Sequence, residues 1–281
     1  MKKNVKVAML FTVIIALGIA VFNACQESTF ETPESESMEV FHELGCLFLP
    51  EAEYAKIPEA KAPEGAVKAS VSISTPSIRN QGGEGSCVAW GTTYAARSIE
   101  RRRATGASSY STSTNIFSPE YVYNQIKISS SCASGSYVTT GLNLLRSQGA
   151  CRWYYMPYTD GTCSTYPNST QRSDAAKYKI SSYSTVSRTT SNFKSFLNSG
   201  KPIIVAGPVN STYMNLGYNQ VLGAWSGSSY GGHCYCIVGY DDTKGAFKFM
   251  NSWGTSWGTS GYGWISYNYL TTWIQEAYVI Y

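Results

Sequence analysis

Four residues of this chain have the types and order of a thiol-based acyl-transfer site: Gln81, Cys87, His233 and Asn251. A cysteine at its free pKa of about 8.5 is mostly protonated at neutral pH, and only the thiolate attacks a carbonyl. Two devices could lower that pKa here. His233 could take the proton and stay nearby as imidazolium. A helix beginning at Cys87 would add unpaired backbone N–H groups, which favour negative charge. Asn251 could accept a hydrogen bond from the ring N–H that faces away from sulfur, fixing the tautomer and orientation of His233. Gln81, six positions before Cys87, offers a side-chain N–H that could hold an oxyanion together with the Cys87 amide. Such a donor is typically worth about 3 kcal/mol.

The contexts sharpen this reading. Gln81 and Cys87 stand in Asn80-Gln81-Gly82-Gly83-Glu84-Gly85-Ser86-Cys87-Val88-Ala89-Trp90, a glycine-rich turn opening an apolar stretch. His233 stands in Gly231-Gly232-His233-Cys234-Tyr235-Cys236-Ile237-Val238, and Asn251 in Asn251-Ser252-Trp253-Gly254-Thr255-Ser256-Trp257-Gly258. With these motifs the chain resembles the papain family of cysteine proteases over about residues 70–281. The resemblance implies catalytic roles for Cys87, His233, Asn251 and Gln81. It implies that Trp253 shields the histidine–asparagine hydrogen bond and that Trp257 lies near the leaving-group side. Gly135 and Gly232 would border the substrate backbone. Phe117-Ser118-Pro119-Glu120 resembles the start of the family's next helix, and Met156-Pro157-Tyr158 a family turn. No metal or organic cofactor is implied. Two departures stand out: Glu84 occupies the position of a family cysteine, which leaves its apparent partner Cys132 without that bridge, and Val88 replaces an aromatic residue.

The elements that must position these groups follow from pattern. Residues 87–103 lack proline and follow Ser86, a plausible cap, so a helix is expected there. Its end carries Arg101-Arg102-Arg103, which suits the helix dipole better than a nucleic-acid site. Further helices are expected over 118–128, 138–148 and 191–199. Short β runs are expected over 202–206, 234–239, 247–250, 263–267 and 273–280. A helical half followed by a β half, with the nucleophile on the first and the base on the second, predicts an α+β fold. The resemblance makes this a papain-like pair of subdomains: a helical left half, a β-barrel-like right half, and the active-site cleft between them.

Composition divides the chain. Lys2, Lys3 and Lys6 precede an apolar run from Val7 to Phe22, and Ala24-Cys25 follow. Residues 1–25 therefore read as an export signal, resembling the bacterial lipoprotein type with Cys25 as the lipidated residue. Residues 26–66 hold ten glutamates against Lys56 and Lys61 and are broken by four prolines, a tether composition. The apolar patch Met38 to Leu49 inside them could dock on the domain as a short pro-segment. Residues 67–281 carry 17 Lys plus Arg against 8 Asp plus Glu and form the peptidase domain.

Eight cysteines are present. With Cys25 and Cys87 set aside, six allow fifteen full pairings, which sequence cannot resolve. One bridge among Cys132, Cys151 and Cys163 suits an exported protein. Cys234 and Cys236 alternate on one face of a strand and read as small buried hydrophobes. Zinc is disfavoured because no C-x2-C spacing exists. The expectation is an exported, lipid-anchored, monomeric cysteine peptidase acting on proteins or peptides, with the membrane as its other partner and no nucleic acid. The rival readings are a thiol hydrolase of cell-wall peptides and a non-catalytic surface binding protein. The Gly231-Gly232 subsite lacks a charge, so basic selectivity has no source there.

Overall fold

The computed structural model describes residues 42–281. The signal-like residues 1–25, Cys25 among them, and residues 26–41 lie outside the described residues. Among the described residues nine strands occur in chain order: β1 (Cys46–Leu47), β2 (Ser70–Ser72), β3 (Ser136–Tyr137), β4 (Tyr183–Thr185), β5 (Ile203–Val209), β6 (Gly231–Asp241), β7 (Ala246–Met250), β8 (Tyr262–Ser266) and β9 (Glu276–Ile280). Seven of them form one mixed-length sheet in the order β4-β9-β5-β6-β7-β8, with β2 added along β6. The sheet does not close into a barrel. The expected papain-like α+β arrangement is present, with an open sheet in its second half.

The helix that begins at Cys87 runs without interruption to Thr105. It is α-helical over Cys87–Ala89 and Ser98–Thr105, and wound more widely, as a π-helix, over Trp90–Arg97. Gly106, at φ 64, ends it in the left-handed conformation that glycine adopts freely, so the helix stops at Thr105, two residues beyond the expected 103. Ser86 is not a side-chain cap: its hydroxyl bonds Tyr158 Oη at 2.9 Å instead. Helices Pro119–Ile126, Val138–Ser147 and Thr190–Asn198 lie where pattern placed them, the first and third capped by Ser118 and Thr189. Helix Ser169–Ala175, opened by a capping box from Asn168, was not anticipated. The expected strand 273–280 is shorter. Leu270–Trp273 is a helical turn, because Trp273 turns its indole inward to donate to Gly223 O at 2.7 Å, and only Glu276–Ile280 pairs.

Two apolar clusters flank the sheet, and alternation along β6 divides its side chains between them. Cys234, Cys236 and Val238 pack toward the helices with Cys87, Val88 and Trp90. Tyr235 and Ile237 pack on the opposite side with Phe249, Trp253 and Trp273. Gly91 lets the Cys87 helix press onto β6, since a Cβ there would sit 2.7 Å from Cys234 Sγ. Among the described residues, no helix is long and apolar enough to cross a membrane.

Residues 42–66 are held against the domain along their length. β1 pairs in parallel with β3, and Ser136 donates its N–H to Gly45 O at 2.8 Å. Further on, Leu49 N bonds Glu276 Oε1 at 2.6 Å, Ala60 N bonds Thr185 O at 2.8 Å, and Asn198 Nδ2 bonds Ala66 O at 2.8 Å. The prolines and glutamates that gave this stretch the composition of a tether lie mostly on its outer side.

Candidate active site

β6 carries His233 and the turn after β7 carries Asn251, so antiparallel pairing of β6 with β7 brings the two together. His233 Nε2 lies 2.7 Å from Asn251 Oδ1. The same oxygen accepts the Ser252 N–H at 2.8 Å, which fixes the amide so that oxygen, not nitrogen, faces the ring. His233 therefore donates from Nε2. Its Nδ1 has no hydrogen-bond partner, which is the state of a nitrogen free to exchange a proton. Trp253 covers the pair, its ring centroid 4.5 Å from that of His233. Trp257 meets Trp253 edge-on at 5.5 Å and donates from its indole to Met214 O at 3.0 Å. Tyr213, wholly buried, packs 5.9 Å from His233 and 5.4 Å from Trp253. Nothing in its local sequence marked it.

Gln81 is tied to this cluster from three directions. Its N–H reaches Ser252 O at 2.8 Å, its Oε1 accepts from Ser252 Oγ at 2.7 Å, and its Nε2 donates to Glu84 O at 2.9 Å. The remaining Nε2 hydrogen points at Glu43 O, 3.0 Å away. The amide that sequence assigned to an oxyanion hole thus holds a peptide carbonyl. Ser252, unremarked in the sequence, is the group that orients it.

Cys87 starts its helix with the sulfur wholly buried. Burial pushes its thiol up to about 11, while the backbone N–H groups of Cys234, Gly45, Val88 and Cys87 itself pull the other way. Contact with Cys234 N–H makes the residue after His233 a neighbour of the sulfur. Burial also holds His233 down to about 4, against the Asn251 hydrogen bond that favours its cation. Nucleophile and base are therefore both neutral in this structure. The segment from His42 to Leu47 adds to the burial that domain residues already give. His42 stacks on Trp253 at 4.5 Å with an interplanar angle of 3°. Gly45 N–H faces the Cys87 sulfur. The two glycines expected to border substrate border this segment instead: a Cβ on Gly135 would meet Gly45 O at 2.7 Å, and one on Gly232 would meet Cys46 O at 2.2 Å. His42 lies in the stretch that sequence read as tether, but the indole of Trp253 gives it a flat apolar seat.

Around the site, Cys132 is bridged to Cys163, so the thiol left without its family partner finds another, and Cys151 remains free and buried. Glu84 sits wholly buried beside them, accepting from Gly161 N at 3.0 Å and lying 2.9 Å from Tyr158 Oη. Burial raises its carboxyl to about 7. Glu276, also missed by sequence, lies buried under the segment. Burial raises its carboxyl, while the Leu49 N–H and the Tyr278 hydroxyl pull it down.

Comparison with known proteins bears on the family and the fold. Residues 66–280 match the model of the papain family cysteine protease. The chain is 31 % identical over 199 residues to the gamete and mating-type specific protein A of Dictyostelium discoideum, which covers 68 % of this chain and 40 % of that protein. It spans 56–64 % of the length of other curated relatives it matches. Among solved structures it is similar to Xylellain, a cysteine protease from Xylella fastidiosa, at 26 % identity and TM-score 0.72, covering 85 % of this chain and 96 % of that one. Bromelain from Ananas comosus, solved in complex with the inhibitor E64, shares the fold at 22 % identity and TM-score 0.60, covering 76 % and 99 %.

Proposed function

The chain belongs to the papain family of cysteine proteases, and on that premise we propose that it is an exported peptidase held latent by residues 42–49. The observation that carries the reading is the pairing of His233 with Asn251, which leaves Nδ1 free, together with a Gln81 amide that already grips a peptide carbonyl. When a substrate replaces the segment, the Cys87 proton passes to His233 Nδ1 and the thiolate attacks the substrate carbonyl. Gln81 Nε2 and the Cys87 N–H hold the oxyanion. His233 returns the proton to the leaving amine, then takes one from water to release the acyl group from sulfur. Asn251 keeps the imidazole oriented throughout. Gly135, Gly232 and Trp257 border the substrate, and Trp253 keeps water from the histidine–asparagine bond.

The segment brings the Gly45 N–H to the sulfur, while its Glu43 carbonyl oxygen is held by Gln81 Nε2. The Lys-rich start, the apolar run and Cys25 support export and lipid anchoring. The acyl-transfer reading is tested with an E64-type epoxide on the chain from residue 26, under mild reductant and read by mass spectrometry. We expect one adduct on Cys87, absent in His233→Ala. Equal labelling of both proteins removes the activated thiolate and with it the peptidase.

A further inference from the structure

Three thiols meet where the segment crosses the cleft, and one of them belongs to the segment itself. Cys46, Cys87 and Cys234 are free and buried in one apolar cluster. Backbone pairing fixes how Cys46 faces. It is paired with Ser136 on β3, whose N–H holds Gly45 O at 2.8 Å. A Cβ on Gly45 would run into Gly85 O, in the loop that leads into Cys87. Successive side chains of an extended chain point to opposite sides, so that of Cys46 turns away from the loop and toward β6. Its place along β6 is bracketed. The Gly45 and Cys234 N–H groups both face the Cys87 sulfur, while Cys46 O fills the place of a Cβ on Gly232. Gly232 and Cys234 lie on one face of β6, about 6.6 Å apart. Cys46 crosses that face between them, and a disulfide tolerates Cα separations of about 4.4–6.8 Å.

Resting on the peptidase reading, we propose that Cys46 and Cys234 are a disulfide site that bolts the segment over Cys87, so that a thiol reductant releases the enzyme. The two thiols give up two protons and two electrons as the S–S bond forms. A disulfide of a thiol oxidoreductase or of a small thiol takes them up and becomes two thiols. Cys132 and Cys163 in the same domain are already joined, and the oxidant that makes such a bridge in an exported chain serves a second one as well. Burial holds the Cys46 and Cys234 thiols well above their ordinary pKa, and the neighbouring sulfurs push them further. Only a thiolate exchanges, so exchange proceeds when the segment lifts and water reaches the pair. Reseating then brings the second thiol onto the mixed disulfide and expels the oxidant's thiol. Cys87 directly follows the loop from which the Cys46 side chain turns, which makes it the poorer partner. A bridge to β6 also holds the nearby Glu43 carbonyl on Gln81 Nε2.

The test treats the full chain with glutathione disulfide or with mild reductant. Linkages are mapped by mass spectrometry of unreduced peptides, and the rate of Cys87 labelling by an E64-type epoxide is followed. Each protein is read as the ratio of its oxidised to its reduced rate, which cancels any change in the fit of the reduced segment. In the wild type we expect a Cys46–Cys234 linkage and a ratio of about one tenth or less, because the bolted segment loses its open state. Reduction of the same sample restores the rate. Cys46→Ser and Cys46→Ala keep a ratio near one. A fall in all three proteins would be oxidation of Cys87 itself and overturns the inference. So does a Cys46 that stays unlinked or joins Cys87, or a linked wild type that labels at its reduced rate. A reduced Cys87 that fails to label, or labels equally in His233→Ala, overturns the peptidase reading instead, while the linkage map still decides the bridge.

Discussion

At the residue scale, Glu84 shows how a lost covalent tie is replaced by a titratable one. Its carboxyl is wholly buried, with Tyr158 Oη and Gly161 N as partners and the charges of Glu120 and Asp160 nearby. A neutral Glu84 also completes the local hydrogen bonding: it can donate to the Tyr158 oxygen, leaving that phenol to donate to Gln81 O at 2.6 Å. Folding raises the carboxyl from 4.5 to about 7. The folded state therefore holds this proton more tightly than the unfolded state does. The stability it contributes is complete below pH 4.5 and is lost as pH rises through 7. The shift sets a ceiling of about 3 kcal/mol, several degrees of melting temperature for a domain of this size. Thermal unfolding from pH 4.5 to 8 should show the wild type declining and Glu84→Gln declining less by that amount. Parallel curves would mean that Glu84 is ionised in the fold.

At the scale of elements, the segment 42–49 fits the cleft through close backbone approach, and Gly45 sets its tolerance. A Cβ on Gly45 would fall 1.9 Å from Gly85 O, a backbone atom of the loop leading into Cys87. Gly45→Val therefore unseats the segment while leaving every domain residue in place. In the full chain its Cys87 should label with E64 at least about tenfold faster than in the wild type, as the open state becomes the main one. An unchanged rate would show that the segment does not restrain the site. The Cys87 helix and its partners on β6 and β7 were legible because their chemistry is written in contiguous motifs with strong turn residues. The seat of His42 on Trp253 was not, since it joins residues 211 apart through a shape no local pattern records. Glu276 escaped for a related reason: its importance lies in the register of β5 between β6 and β9. The π-winding of Trp90–Arg97 and the helical turn at Leu270–Trp273 answer to tertiary packing that overrides propensity.

At the scale of the molecule, the segment taken with its continuation to residue 66 spans both halves of the domain. It pairs with β3 beside the helices, then bonds Glu276, Ala277 and Thr185 on the sheet. Net charge alone favours that docking, since residues 26–66 are acidic and the domain basic. Yet the described ion pairs of the segment, Lys56–Glu53 and Lys61–Glu64, are internal to it and exposed. Its contacts with the domain are short hydrogen bonds and apolar packing, which salt hardly screens, whereas the diffuse attraction between opposite net charges fades beyond about 10 Å at 0.1 M salt. A peptide of residues 42–66 should therefore inhibit the Gly45→Val protein in trans. Raising sodium chloride from 0.1 to 0.5 M should weaken it by no more than about threefold, the size expected of exposed charges. Inhibition constants measured across that range decide the matter. A loss of ten- to a hundredfold would make long-range charge the main restraint, and an inert peptide would leave the segment effective only when joined to its domain.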